Sequence, residues 1–264
     1  MAKEITKKNN KRIVIVLAFI LLVLLIGYIY FRGQYLEILE IGEKYTEIFW
    51  QNVKYTAIAF SINFIVLFLL IYLTNLKIKK GLKAFFEDDK KPMPKLVNKS
   101  IAFISSIIIS ALTTNIMLKN FMLCFNSASF EIADPIFGYD ISYFIFQKPF
   151  IEFMLIYILL LVVGLTIYTV IYYIISFNIF FDGVSREILR NSHFTKQLVS
   201  HIIIIVILLA SLTYIGIQDM EVNKFLTLKD GTSYSIYGAG FADVTIRLWG
   251  YKILTIVILH KFYA

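Results

Sequence analysis

The sequence holds a single cysteine, Cys124, among 264 residues. No internal disulfide and no cysteine-rich zinc site can form, and the residue reads as a small buried apolar group. Charge is scarce as well: 17% of residues are charged, against about a quarter in ordinary soluble domains. The centres of the long apolar runs contain no Asp, Glu, Lys or Arg, so the usual mark of an ion or proton path through a membrane is missing. No run is broken by proline and no clear internal repeat is present, both of which a transporter built from inverted repeats would show. There is no G-x-S-x-G and no H-E-x-x-H, so neither a serine-hydrolase elbow nor a zincin helix is encoded.

What the chain does have is apolar length. It is 59% hydrophobic and 16% aromatic, and its apolar runs are too long for soluble cores. A helix rises 1.5 Å per residue, so about 20 apolar residues cross the hydrocarbon. The runs predict spans at 13–31, 55–76, 100–118, 153–177 and 199–217, with a short or truncated sixth at 249–264. The expected fold is all-α, a polytopic integral membrane protein made of a basic N-terminus (1–12) and one transmembrane domain (13–264).

Loop charge sets the expected orientation. Residues 1–12, 77–99 and 178–198 are rich in Lys and Arg, whereas 32–54, 119–150 and 218–248 are acidic or balanced. The two kinds alternate strictly, which places the N-terminus in the cytoplasm and the protein in the plasma membrane. The same bias accounts for the net charge of +8; without a basic stripe interleaved with aromatics, no nucleic-acid partner is expected. The bilayer is the expected partner, and basic residues near 87–91 can contact anionic lipid. The first run is too long for a signal-peptide core and lacks a small-residue cleavage site, so it reads as an uncleaved anchor. The last run has only Ile253–Leu259 uninterrupted, as if the chain stopped inside a span.

Two outer loops carry more than a linker needs. Glu37, Glu40, Glu43 and Glu47 recur at helical spacing within 35–50, which predicts an amphipathic helix lying at the interface. Residues 125–150 hold eight aromatics with Pro135, Gly138 and Pro149; this predicts a structured element in which Ile141–Phe146 pairs as a short strand.

Few residues suggest chemistry. Asp134 and Asp140 flank a turn containing Pro135, Phe137 and Gly138; hard cations take such oxygens, but the pattern is that of turn chemistry. Gly238, Gly240 and Asp243, with Arg247 after them, form a glycine-permitted turn into the sixth helix and lack a Walker lysine. Cys124 falls on the outer side, while His193 and His201 fall on the inner, so no nucleophile–base pair forms. Ser110, Thr113, Thr114 and Asn115 make the third span polar, either as small packing residues or as the lining of a path. No cofactor, metal or catalytic set is expected, and the chain reads as a non-enzyme.

The segment Phe125–Phe150, with its Asp134-Pro135-Ile136-Phe137-Gly138-Tyr139-Asp140 core, resembles the aromatic motif of a bacterial family of large multi-pass membrane proteins, uncharacterised protein family 0182. Gly238–Val244 followed by Arg247-Leu248 is similar to a second family motif, and Glu40–Tyr45 with Phe49-Trp50 to a third. Phe241-Ala242 and Trp249 depart from the family's Tyr-Thr and proline. The resemblance implies that members continue through a further span into a large extracytoplasmic region, and it carries no established activity. The expected role is therefore a membrane-embedding or assembly module with membrane or extracytoplasmic protein partners; the alternative is a transporter or channel component.

Overall fold

The computed structural model describes residues 2–88, 90, 93, 98–181, 192–221, 224–227, 231, 233–236 and 239–260. Helix dominates: α1 (Ala2–Ile41), α2 (Thr46–Asp88), α3 (Asn98–Phe125), α4 (Lys148–Phe180), α5 (Ser192–Gly216) and α6 (Leu248–His260). Five stretches are long and apolar enough to cross a membrane: Leu21–Ile41, Glu43–Glu87, Asn98–Phe125, Tyr143–Phe180 and His193–Asp219. Helix is what an apolar solvent demands, because each helix satisfies its own backbone polar groups.

The chain falls into two compact units, Met1–Ala59 and Phe60–Ala264. In the first, α1 runs 40 residues, about twice a bilayer's hydrocarbon thickness at 1.5 Å per residue. It ends where Gly42 takes φ 153°, a conformation that side chains with a Cβ resist. A 3-10 turn, Glu43–Tyr45, then leads into α2. The rings of Phe31, Tyr35, Phe49 and Trp50 gather around this turn, with centroids 5.3–6.1 Å apart. The interfacial helix expected over 35–50 is therefore not one element. Gly42 cuts it, and its halves extend α1 and begin α2.

In the second unit, α2 continues past its apolar run through the basic stretch 77–88. That stretch stays helical because its face Ile78, Leu82 and Phe86, spaced by four, is buried against Tyr173 and Phe177 of α4 and Phe194 of α5. Gly81 lies on this contact: a Cβ there would sit 2.0 Å from the Tyr173 hydroxyl, and Tyr173 is itself buried.

Two turns of π-helix precede α4 (Tyr143–Gln147) and α6 (Asp243–Arg247). The strand expected at Ile141–Phe146 is helical instead: Ile141 and Ser142 are α, and the π turn follows. Its surroundings offer only a single bridge, Ala133 to Asp140, so helix is the way these residues satisfy their backbone. Strand forms elsewhere. Lys224–Thr227 (β1) pairs antiparallel with Ser233–Ile236 (β2), Lys224 facing Ile236 and Thr227 facing Ser233. The expected all-α fold holds for the helical body, to which this short hairpin is a local addition.

Overpacking a tight helix contact costs about 1–3 kcal/mol. Gly81→Ala is expected to lower the thermal midpoint of the detergent-solubilised protein. Gly164→Ala, where an added Cβ meets nothing within 4 Å, is expected to leave it unchanged or slightly raised. Circular dichroism melts of the two variants check this.

Candidate functional site

The aromatic segment is organised by two aspartates. Asp134, buried, accepts the backbone N–H of Ile136 at 2.9 Å and that of Phe137 on the same oxygen. Its own N–H reaches Tyr139 O at 2.7 Å, and its carbonyl accepts Gly138 N–H at 2.9 Å. Pro135 opens the turn, and Gly138 closes it at φ 72°; the pattern is an Asx-type turn in which the side chain imitates a backbone carbonyl.

Asp140 ties the same loop from its other end. Oδ1 accepts Ser142 N–H at 2.8 Å and Phe130 N–H at 3.2 Å, and Oδ2 accepts the Ser129 hydroxyl at 2.6 Å. The hydrogen bonds from Ser129 and Ser142 hold this carboxyl well below the ordinary carboxylate range. Both carboxylates are thus engaged by donors of their own loop. No group of three or more His, Cys, Asp or Glu suited to a metal occurs among the described residues.

Asp243 plays the corresponding part at the second motif. Oδ2 accepts Gly240 N–H at 3.0 Å and Oδ1 takes the Arg247 guanidinium at 2.9 Å, while Gly240 O accepts the N–H groups of Asp243 and Val244. Asp243 is buried, so Gly240, Asp243 and Arg247 form one cap at the start of the π turn. Gly238 lies outside the described residues.

Between the aromatic segment and the end of α5 stands a cluster that the sequence reading did not anticipate. Lys148, only 6% exposed, is paired with Glu152 at 2.7 Å and with Asp219. Beside it the Tyr143 hydroxyl donates to Gln218 Oε1 at 3.1 Å. Buried lysine is tolerated only when its ammonium is paired, and here one cation takes two carboxylates. The Lys148–Glu152 spacing was readable as an i,i+4 pair; Asp219 is distant in sequence and gave no signal.

The polar residues of α3 are divided between its faces. Ser110 and Thr114 are buried, and Thr113 is half-buried beside them. Asn63 of α2 donates to Thr113 Oγ1 at 3.0 Å and to Thr114 Oγ1 at 3.5 Å, and accepts the Tyr157 hydroxyl of α4 at 2.9 Å. Asn115 is exposed on another side of α3. Ser110 Oγ, enclosed, has no hydrogen-bond partner among the described residues.

A second clasp lies further along the same three helices. Asn75 Nδ2 donates to Asn98 O at 2.9 Å, and Asn98 Nδ2 returns to Asn75 O at 3.3 Å. The hydroxyls of Tyr168 and Tyr172 donate to the two amide oxygens, at 2.7 and 3.0 Å. Cys124 stands in the last turn of α3, and His193 and His201 in the first turns of α5; His201 Nδ1 lies 3.3 Å from Thr166 Oγ1 of α4.

The family model described as uncharacterised protein family UPF0182 matches residues 12–263, so the chain belongs to that family. A UPF0182 protein of Caldicellulosiruptor saccharolyticus is 27% identical over 97% of this chain and 29% of its own length. One of Clostridium tetani is 28% identical over 81% of this chain and 24% of its own length. One of Moorella thermoacetica is 33% identical over 47% of this chain and 13% of its own length. The chain thus spans less than a third of the curated relatives it matches. No solved structure matches it.

Because the Asp140 carboxyl is depressed in the folded loop, its contribution is complete above the unfolded value, near about 3.9, and is lost as pH falls through the folded one. Hydrogen exchange at the Phe130 and Ser142 amides is expected to be equally protected at about pH 7 and about pH 5, weakening only in stronger acid. Asp140→Asn, which cannot accept from Ser129 on its amide nitrogen, should lower that protection at both of these pH values, the difference from the wild type closing in stronger acid.

Proposed function

We propose that this UPF0182 chain is a non-enzymatic membrane-embedding and assembly module of the plasma membrane, with its N-terminus cytoplasmic. The observation that carries the reading is how the polar groups are used. Asn63, Thr113, Thr114 and Tyr157 bind one another, as do Asn75, Asn98, Tyr168 and Tyr172. Such groups act as interhelical glue. The outer motifs are likewise braced internally, by Asp134, Asp140 and Asp243 and by the Lys148 pair of bridges. Braced loops with exposed aromatic tips, Tyr139 at 45% and Phe241 at 86%, suit a surface that holds an extracytoplasmic part or partner. The alternating loop charge supports the orientation.

A transporter or channel component is the second reading. It is favoured by Ser110, whose enclosed hydroxyl has no partner among the described residues, on the face that Thr114 shares.

Cysteine accessibility separates the two. In a Cys124→Ser background, single cysteines at Ser110 and Thr113 are expected not to react with a membrane-impermeant thiol reagent, whereas cysteines at Tyr139 and Phe241 should react from outside the cell. Reaction at Ser110 and Thr113 means a water-filled path and favours the second reading. Labelling of Tyr139 only after permeabilisation contradicts the orientation.

A further inference from the structure

The end of the bundle formed by α2 and α5 carries a pocket of about 260 Å³ lined by Lys77, Lys80, His193, Lys196, Gln197 and Ser200. Three lysines converge there, and no carboxylate lines it among the described residues. The pocket also sits along the first described turns of α5. A second hollow of about 360 Å³ shares Lys196 and Ser200 with it and continues along α5 over Thr195, Val199, Ile203 and Ile204. From Thr195 to Ile204 the helix advances about 14 Å, and the apolar side chains on that line are exposed at 40–48%. A cationic mouth therefore opens directly onto an apolar groove.

Gln197, in the same wall, is fixed in orientation. Its Nε2 donates to Thr169 Oγ1 at 3.4 Å, and that hydroxyl is already spent as a donor to Leu165 O at 2.7 Å. Thr169 can then only accept, which fixes the amide with its nitrogen toward Thr169 and its oxygen away. That oxygen, on a residue only 4% exposed, has no partner among the described residues. The pocket wall thus presents cations for a phosphate, whereas the Gln197 oxygen is enclosed and is not offered to a ligand.

We propose that this is a binding site for an anionic glycerophospholipid, its phosphate held by Lys77, Lys80 and Lys196 and an acyl chain laid along Val199, Ile203 and Ile204. Basic pockets between helices at a membrane face are suited to such headgroups. The site goes beyond the general embedding role: that role can hold with any bilayer lipid, whereas this pocket selects one chemistry.

The test is native mass spectrometry of the full chain in mild detergent, titrated with dioleoyl phosphatidylglycerol, phosphatidic acid and phosphatidylcholine, and separately with inorganic phosphate. Phosphatidylglycerol is expected to bind at one copy, at least about tenfold tighter than phosphatidylcholine. The double variant Lys77→Gln, Lys196→Gln should erase that preference; both side chains are exposed, and a circular dichroism melt checks that the fold is kept. Ile203→Trp, which fills the groove, should weaken lipid binding too. Competition by inorganic phosphate at equal concentration would identify a soluble anion as the ligand and overturn the lipid. Equal binding of phosphatidylglycerol by the wild type and the lysine double variant would overturn the site itself.

Discussion

The structure depends on one constraint: a polar side chain inside a bundle of apolar helices must find another polar group. The second unit meets it at two levels. At one, Asn63 gathers Thr113, Thr114 and Tyr157. At the other, Asn75 and Asn98 exchange amide-to-carbonyl bonds and receive two tyrosine hydroxyls. Each level joins α2, α3 and α4. Apolar contact alone gives little preference for one helix register when the surroundings are equally apolar. Hydrogen-bonded clasps, which lose their bonds on a slip of one residue, are better placed to fix it.

The register so fixed positions the rest. It sets the Ile78–Leu82–Phe86 face against Tyr173 and Phe177, and so brings Lys77 and Lys80 to the first turns of α5, where Lys196 and Gln197 stand. Toward the opposite ends of α4 and α5, Lys148 bridges Glu152 and Asp219 while Tyr143 meets Gln218. The aromatic segment is thereby attached to the helices that follow it. Helices clasped to one another at these two levels are the physical basis of the proposed embedding role.

Much of this was legible in the sequence, and the gaps have physical reasons. Run length located the five long helices because the bilayer imposes a minimum length. The turn roles of Asp134, Gly138 and Asp140 followed from residues whose local conformational preferences are strong. Helix ends were less legible: nothing in 77–88 marks membrane depth, and the helix persists because of burial against α4 and α5, a tertiary effect. Gly42 was visible but was read as part of one amphipathic stretch, although glycine is the residue that lets a chain break between two helices. The hairpin Lys224–Thr227 with Ser233–Ile236 was obscured by reading 218–248 as a loop. The Lys148 cluster and the tyrosine partners of Asn63, Asn75 and Asn98 join residues 71–94 positions apart, and one sequence holds no information on such pairings.

The most direct test of the central claim is a double-mutant cycle on Asn75 and Tyr168. Unfolding free energies of Asn75→Leu, Tyr168→Phe and the pair would be measured against the wild type in mild detergent. If the clasp holds the helices, the two effects are coupled, by about 0.6 to 1.7 kcal/mol for an interhelical hydrogen bond of this kind. Effects that add to within about 0.3 kcal/mol would mean that the bond contributes nothing of its own, and that the register is set by packing instead.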